Sequence, residues 1–361
     1  MEQRTLLQEE KPRSIRLGQA PYTYARVAVM RSKLVKRDDY SRLMKMKVSE
    51  ITKFLQETEY KKEIDEMAVN YSGVELVELA LNRNLVRNFQ KLKRIAEYEG
   101  LRLVMQEYMK RRDIWNLKTI LRGKFSGQDE NSIKDMLIPV GLLSEPSMDA
   151  LLKKESVDEI INEMPYLSKE AVKEASEYFR EHKSLFAAEN LLDRAYYTNA
   201  LDFSRRIKRQ GIVFREFIEE EVDVVNVKAI LRLKKQGMKK QDIISSLIPS
   251  GTLSHSDIEK LSGAEDLDSA VSMLDRMGYA KILKDAYDKS KKDISEIERR
   301  LNKSLLDKTI LLLHTHPLSV DVILGYMFAK DIEIKNIRTI IKAKQLGIDD
   351  EFVQKELVIG G

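Results

Sequence analysis

One pattern recurs three times along this chain at a constant step of 110 residues, and a chain written that way folds as an array of like modules. Asp113-x-x-Asn116-Leu117-Lys118-x-Ile120-Leu121-Arg122-x-Lys124-x-x-Gly127 returns as Asp223-x-x-Asn226-Val227-Lys228-x-Ile230-Leu231-Arg232-x-Lys234-x-x-Gly237. It comes back once more as Glu333-x-x-Asn336-Ile337-Arg338-x-Ile340-Ile341-Lys342-x-Lys344-x-x-Gly347. A second phrase keeps the same step. Leu137-Ile138-Pro139-x-Gly141-x-Leu143 becomes Leu247-Ile248-Pro249-x-Gly251-x-Leu253, and Gly361 falls where a third such glycine is due. Between residues 113–144 and 223–254, 15 of 32 positions are identical, against about two expected by chance.

The repeat divides the 361 residues into a polar tail, 1–20, and three modules, 21–143, 144–253 and 254–361. Each is the size of a compact domain and long enough to own a core. The spacers between phrases repeat more loosely. Leu151, Ile160, Ile161, Met164 and Tyr166 mirror Leu261, Ala270, Met273, Leu274 and Tyr279, and Tyr40, Leu43, Ile51, Leu55 and Tyr60 match them in module one. No long Gly/Ser or Pro-rich linker separates the modules, so they are expected to pack together. Solenoid units run to about 20–50 residues, so three copies this large suit a closed, pseudo-three-fold body better than an open superhelix.

The local grammar is helical. Gly and Pro together number only 22, which leaves few turns. Ile114, Leu117, Ile120 and Leu121 form one apolar stripe at helical spacing, and Gly127 is placed to end that helix in the left-handed conformation. Other helices are expected from Pro21 and over Asp39–Glu57, Ser72–Gly100, Leu101–Lys110 and Ile133–Leu137. Charged residues make up 34% of the chain, with both signs interspersed, as on the solvated faces of amphipathic helices. The expected class is all-α.

A net charge of +5 spread over this length is not the concentrated stripe that a phosphate backbone selects, which argues against nucleic acid. With no cysteine there is no disulfide, thiolate metal site or thiol nucleophile. Met1–Arg16 has no apolar stretch of the kind a secretory signal needs. Thr309–Ala329 is mostly apolar and long enough to span a bilayer, yet it carries His314, His316, Pro317 and Asp321. Two buried helices meeting at His316-Pro317 fit it better.

The repeated polar positions are the candidate functional residues. Asn116, Asn226 and Asn336 stand mid-helix, where asparagine competes for backbone groups, so each is expected to make one specific hydrogen bond. The partner would be a neighbouring helix or the acid three residues earlier, and the role structural rather than ligand contact. Lys118 and Arg122, Lys228 and Arg232, and Arg338 and Lys342 are pairs at i, i+4 on one helix face, followed by Lys124, Lys234 and Lys344. These positions could form a basic collar for an acidic partner or lipid headgroups. The favoured reading is a solvated face near a helix C-terminus, whose dipole the charges complement. His314 and His316 lack the third ligand a metal site needs. Trp115 is read as packing. Gly123-Lys124-Phe125-Ser126-Gly127 lacks the spacing of a phosphate-cradling loop, and neither a nucleophile elbow nor His-Glu-x-x-His occurs. No cofactor and no catalytic activity are expected.

Several motifs in order carry a resemblance. Tyr22-x-Tyr24-Ala25-Arg26-Val27-x-Val29-Met30-Arg31-x-x-Leu34, the repeated Asn-Leu-Lys-x-Ile-Leu-Arg phrase and the Pro-x-Gly-x-Leu turns resemble the C-subunit family of archaeal A-type ATP synthases. The bacterial V/A-type enzymes carry the same component, and the d subunit of the eukaryotic V-ATPase is a relative. The likeness spans Tyr22 to Gly361. It implies a three-domain helical funnel, peripheral to the cell membrane on its cytoplasmic side. Such a component receives the shaft subunits D and F, sits on the proteolipid ring and couples ion flow to rotation without chemistry of its own. The competing reading from another class is a helical-repeat scaffold for a soluble protein partner.

Overall fold

The structure, a computed structural model, describes residues 15, 20–207, 211–249, 251–283, 286–287, 293–315 and 320–359. Among these residues the regular elements are helices, with an isolated bridge between Ile15 and Ile207. The fold is all-α. By contact the chain groups into two units. One is residues 82–215, which Ile15 joins through its bridge to Ile207; the other is 21–81 together with 216–361.

In the first unit the long helix Glu99–Phe125 is one uninterrupted element, where the sequence suggests a break near Lys110. Between Leu101 and Arg122 there is neither Gly nor Pro, so nothing stops propagation. It ends at Gly127, whose φ of 71° lets Gln128 donate its N–H back to the Gly123 carbonyl at 2.9 Å. The shorter helices that follow start on side-chain caps. Asp129, Ser144, Ser156 and Ser168 each accept from the amide three residues on. Leu117, Ile120, Leu121, Ile133, Leu192 and Leu85 are fully buried here, each contributing about 1.5–3 kcal/mol by leaving water.

In the second unit the expected helix Asp39–Glu57 is two, Arg37–Lys45 and Val48–Gln56. The break falls at Met46–Lys47, where the Lys47 amide donates to Glu50 Oε2 at 2.8 Å and opens the second helix. The apolar stretch at Thr309–Ala329 divides between helices Ser295–Thr315 and Val320–Leu346. His316, Pro317 and the side chain of His314 lie outside the described residues. Among the described residues no helix is long and apolar enough to cross a membrane. A contiguous core around helix Gly211–Lys235 gathers Val227, Ile230, Leu231, Ile243, Leu274 and Ile297.

Candidate functional site

The three phrase helices, Glu99–Phe125, Gly211–Lys235 and Val320–Leu346, each carry their asparagine on the buried face. Asn116 donates from Nδ2 to the Ile138 carbonyl at 2.8 Å and accepts the Ile138 N–H on Oδ1 at 2.8 Å. Asn226 does the same to Ile248, at 2.8 and 2.9 Å. Asn336 does the same to Val358, at 2.7 and 3.0 Å. One carboxamide thus replaces a β-ladder for a single residue of extended chain, satisfying two buried backbone groups that have no helix to join. The partner lies 22 residues downstream each time, in the second repeated phrase.

The acid three residues before each asparagine faces the same turn or its counterpart. Asp113 accepts the Leu142 N–H at 2.7 Å and the Tyr166 hydroxyl at 2.6 Å. Asp223 accepts the Thr252 N–H at 3.0 Å, the Leu253 N–H at 3.1 Å and the Thr252 hydroxyl. This explains the glycine of Pro-x-Gly: a Cβ on Gly141 or Gly251 would lie 2.0 Å from the Asp113 or Asp223 Oδ1. Burial pushes both carboxyls above the usual aspartate range, although the hydrogen bonds pull the other way. Glu333, one methylene longer, reaches instead to segments before residue 61. It accepts the Val35 N–H, the Tyr60 hydroxyl at 2.6 Å and the Lys330 ammonium at 2.7 Å. Lys330 is fully buried and also bonds Glu59 and the Tyr60 oxygen.

The basic positions are occupied within the chain. Arg122 makes a two-pronged pair with Glu189, both contacts 2.6 Å, and Arg232 repeats it on Glu298 with the same distances. These bonds hold both guanidiniums above the usual arginine range. In the third copy Glu78 lies 3.1 Å from Lys342 and 3.7 Å from Arg338. Lys118 pairs with Asp193 at 2.5 Å, whereas Lys228 donates to the amide oxygen of Asn302, at 3.0 Å. Burial, with the Lys335 charge adding to it, pushes Lys228 down to about 8. Trp115 is half-buried on the same helix as Asn116. Among the described residues no group of three or more His, Asp or Glu side chains is placed to hold a metal ion.

A model of the ATP synthase (C/AC39) subunit family matches residues 23–356. The chain belongs to that family. It is 35% identical over 345 residues to the A-type ATP synthase C subunit of Methanococcoides burtonii, covering 94% of each chain. With the A-type ATP synthase C subunit of Methanosarcina mazei it shares 36% over 349 residues, covering 95% of this chain and 94% of the relative. With that of Haloferax volcanii it shares 31% over 341 residues, covering 94% and 97%.

Within this C/AC39 family member, sequence reasoning missed the acids that answer the basic positions. Glu78 with Asn82, Glu189 with Asp193, and Glu298 with Asn302 are an i, i+4 set repeated three times. Their spacing is 111 and then 109 residues (78 to 189, 189 to 298), so a fixed frame of 110 slides past them. Allowing the frame to slip by one residue finds them. Lys330 was missed for another reason: Glu59 lies 271 residues away in sequence, and nothing local in either segment announces the other.

Proposed function

We propose that this chain is a non-catalytic central-stalk component of an A-type rotary ATP synthase. In this reading it is a socket that links a shaft of subunits D and F to the proteolipid ring. It couples ion translocation to ATP synthesis or hydrolysis from a peripheral position on the cytoplasmic face of the membrane. The observation that carries the reading is the near-full-length match to relatives named as C subunits of A-type ATP synthases. The three-module division at 144 and 254 belongs to the same proposal.

The internal geometry supports a mechanical role. A part that transmits torque must not shear between its helices. Here every phrase helix is tied twice, through the asparagine to its own turn and through its basic pair to a neighbouring helix. The pairings also leave no phrase helix without an acidic partner: phrase one reaches Glu189, phrase two Glu298, and phrase three turns back to Glu78. The contact with shaft and ring would then be of the obligate class, about 2,000–5,000 Å² in total, with charged rims setting orientation. Exposed Leu346, Ile348 and Phe352 offer apolar area for it.

Reconstitution of the synthase with and without the chain tests the proposal. ATP hydrolysis should persist without it while ion pumping collapses. Pumping at full coupling in its absence would refute the role. So would stable binding to a soluble protein with no association to the ring.

A further inference from the structure

The helix–turn–helix that follows each phrase serves as its own control, because the same backbone is built three times with different charges. In the first copy, residues 124–132, one lysine faces two acids; in the third, 344–352, one lysine faces three. In the second, 234–242, four lysines face one acid. The replacements sit where acids do structural duty in the sister copies. Asp129 caps the next helix through the Ser132 amide and Asp349 through the Glu351 amide, but Lys239 occupies the second cap and makes no such bond. Lys124 pairs with Glu130 at 3.0 Å and Lys344 with Asp350 at 2.5 Å. Lys234 finds Lys240 in that place and turns to the Ala264 carbonyl at 2.6 Å.

Cations at the start of a helix oppose its dipole, so this arrangement works against the stability of the second turn. Lys235, Lys239 and Lys240 are exposed, and none of them takes part in an ion pair among the described residues. Copy two therefore carries a local excess of positive charge that its two sisters lack.

We propose that the turn Lys234–Lys240 docks an acidic segment of a neighbouring protein, and that the second of the three equivalent turns is given over to that contact. This rests on the reading of the chain as part of a larger assembly. A membrane surface fits less well: no large hydrophobic side chain is exposed between Lys234 and Asp242, so nothing would insert among acyl chains, and four lysines alone hold a protein only weakly to an anionic bilayer.

The test uses the full chain and a fluorescent deca-glutamate peptide, with binding followed by anisotropy across a salt series. Lys239→Asp with Lys240→Glu restores the cap and the ion pair of the sister copies, so the variant should melt no lower than the parent. It should bind the peptide at least tenfold more weakly. Lys169→Glu with Lys173→Glu, which changes net charge equally at the helix Lys169–His182, should stay within about twofold of the parent. Equal weakening by both variants overturns the proposal. So does binding of the parent to vesicles with 30% phosphatidylserine but not to the peptide. Co-purification from cells separates the two levels. If the parent chain fails to copurify with the ATP synthase, the functional reading fails; if it copurifies and the lysine variant does so equally at high salt, the docking turn fails.

Discussion

Each repeated asparagine holds two backbone groups at once, and this sets what its loss must cost. Asn226→Ala would strand the N–H and C=O of Ile248, which is almost fully buried. We predict a loss of about 2–6 kcal/mol, because each of the two unsatisfied buried groups costs about 1–3. Urea denaturation measures it, and a loss below about 1 kcal/mol would show that water replaces the amide. Lys228 gives a second prediction, with a sign. Its folded-state pKa of about 8 lies below the ordinary 10.5, so between those values the unfolded chain binds more protons, and stability rises with pH. The charged form therefore destabilises the fold at pH 7. Asn302→Asp adds a counter-charge in direct contact, as Asp193 is for Lys118. Its melting temperature at pH 7 should rise by about 2–4 °C, for roughly 1 kcal/mol, and the gain should vanish above about pH 10.5. An unchanged melting temperature at pH 7 would mean that Asn302 already compensates the ammonium.

The buried cluster of Lys330, Glu59, Glu333 and Tyr60 joins helix Val320–Leu346 to the distant turn that precedes helix Lys61–Met67. Lys330→Met leaves two carboxylates facing each other away from water, and we predict about 3–5 kcal/mol of destabilisation. The double variant Lys330→Met, Glu59→Met should recover more than half of it, since Glu333 keeps the Tyr60 hydroxyl and the Val35 amide. Additive losses in urea titrations would show that the ions do not act as a unit. The contrast with the asparagines shows what a sequence makes readable at this scale. Helical class, the ends at Gly127, Gly237 and Gly347, and the importance of Asn116 and its copies follow from period and repetition. The 22-residue reach from Asn116 to Ile138 runs against the expected partners, a neighbouring helix or the acid three residues earlier; the carboxamide instead holds one residue of extended chain in the second repeated phrase. The break expected near Lys110 is absent from Glu99–Phe125, because no glycine or proline between Leu101 and Arg122 interrupts the helix. Pairings such as Lys330 with Glu59 carry no period, and an ion pair between distant segments is written in neither of them.

Three copies of one sequence phrase need not make three like surfaces, and in this chain the equivalent turns differ sharply outside while agreeing inside. Each ends in a left-handed glycine, with φ of 71°, 74° and 65°. Outside, the first turn shows Phe125, half exposed beside Asp129 and Glu130. The second shows lysines, and the third shows Leu346, 71% exposed, with Ile348 and Phe352 among acids. Internal bonding maintains the backbone in all three, so the outer side chains are free to diverge, and divergence is what contact with unlike partners would use. Single cysteines at Ser126, Gln236 and Leu346 can examine this directly, because the chain has no cysteine of its own and all three positions are exposed. In an assembled synthase treated with a short thiol-to-amine cross-linker, the three should give different adduct patterns. Gln236 should favour an acidic neighbour's flanking lysines, and Leu346 should be protected from the reagent wherever an apolar surface covers it. Identical adducts from all three positions would mean that the surrounding proteins share the chain's repeat, and unequal docking of the three turns would have to be abandoned.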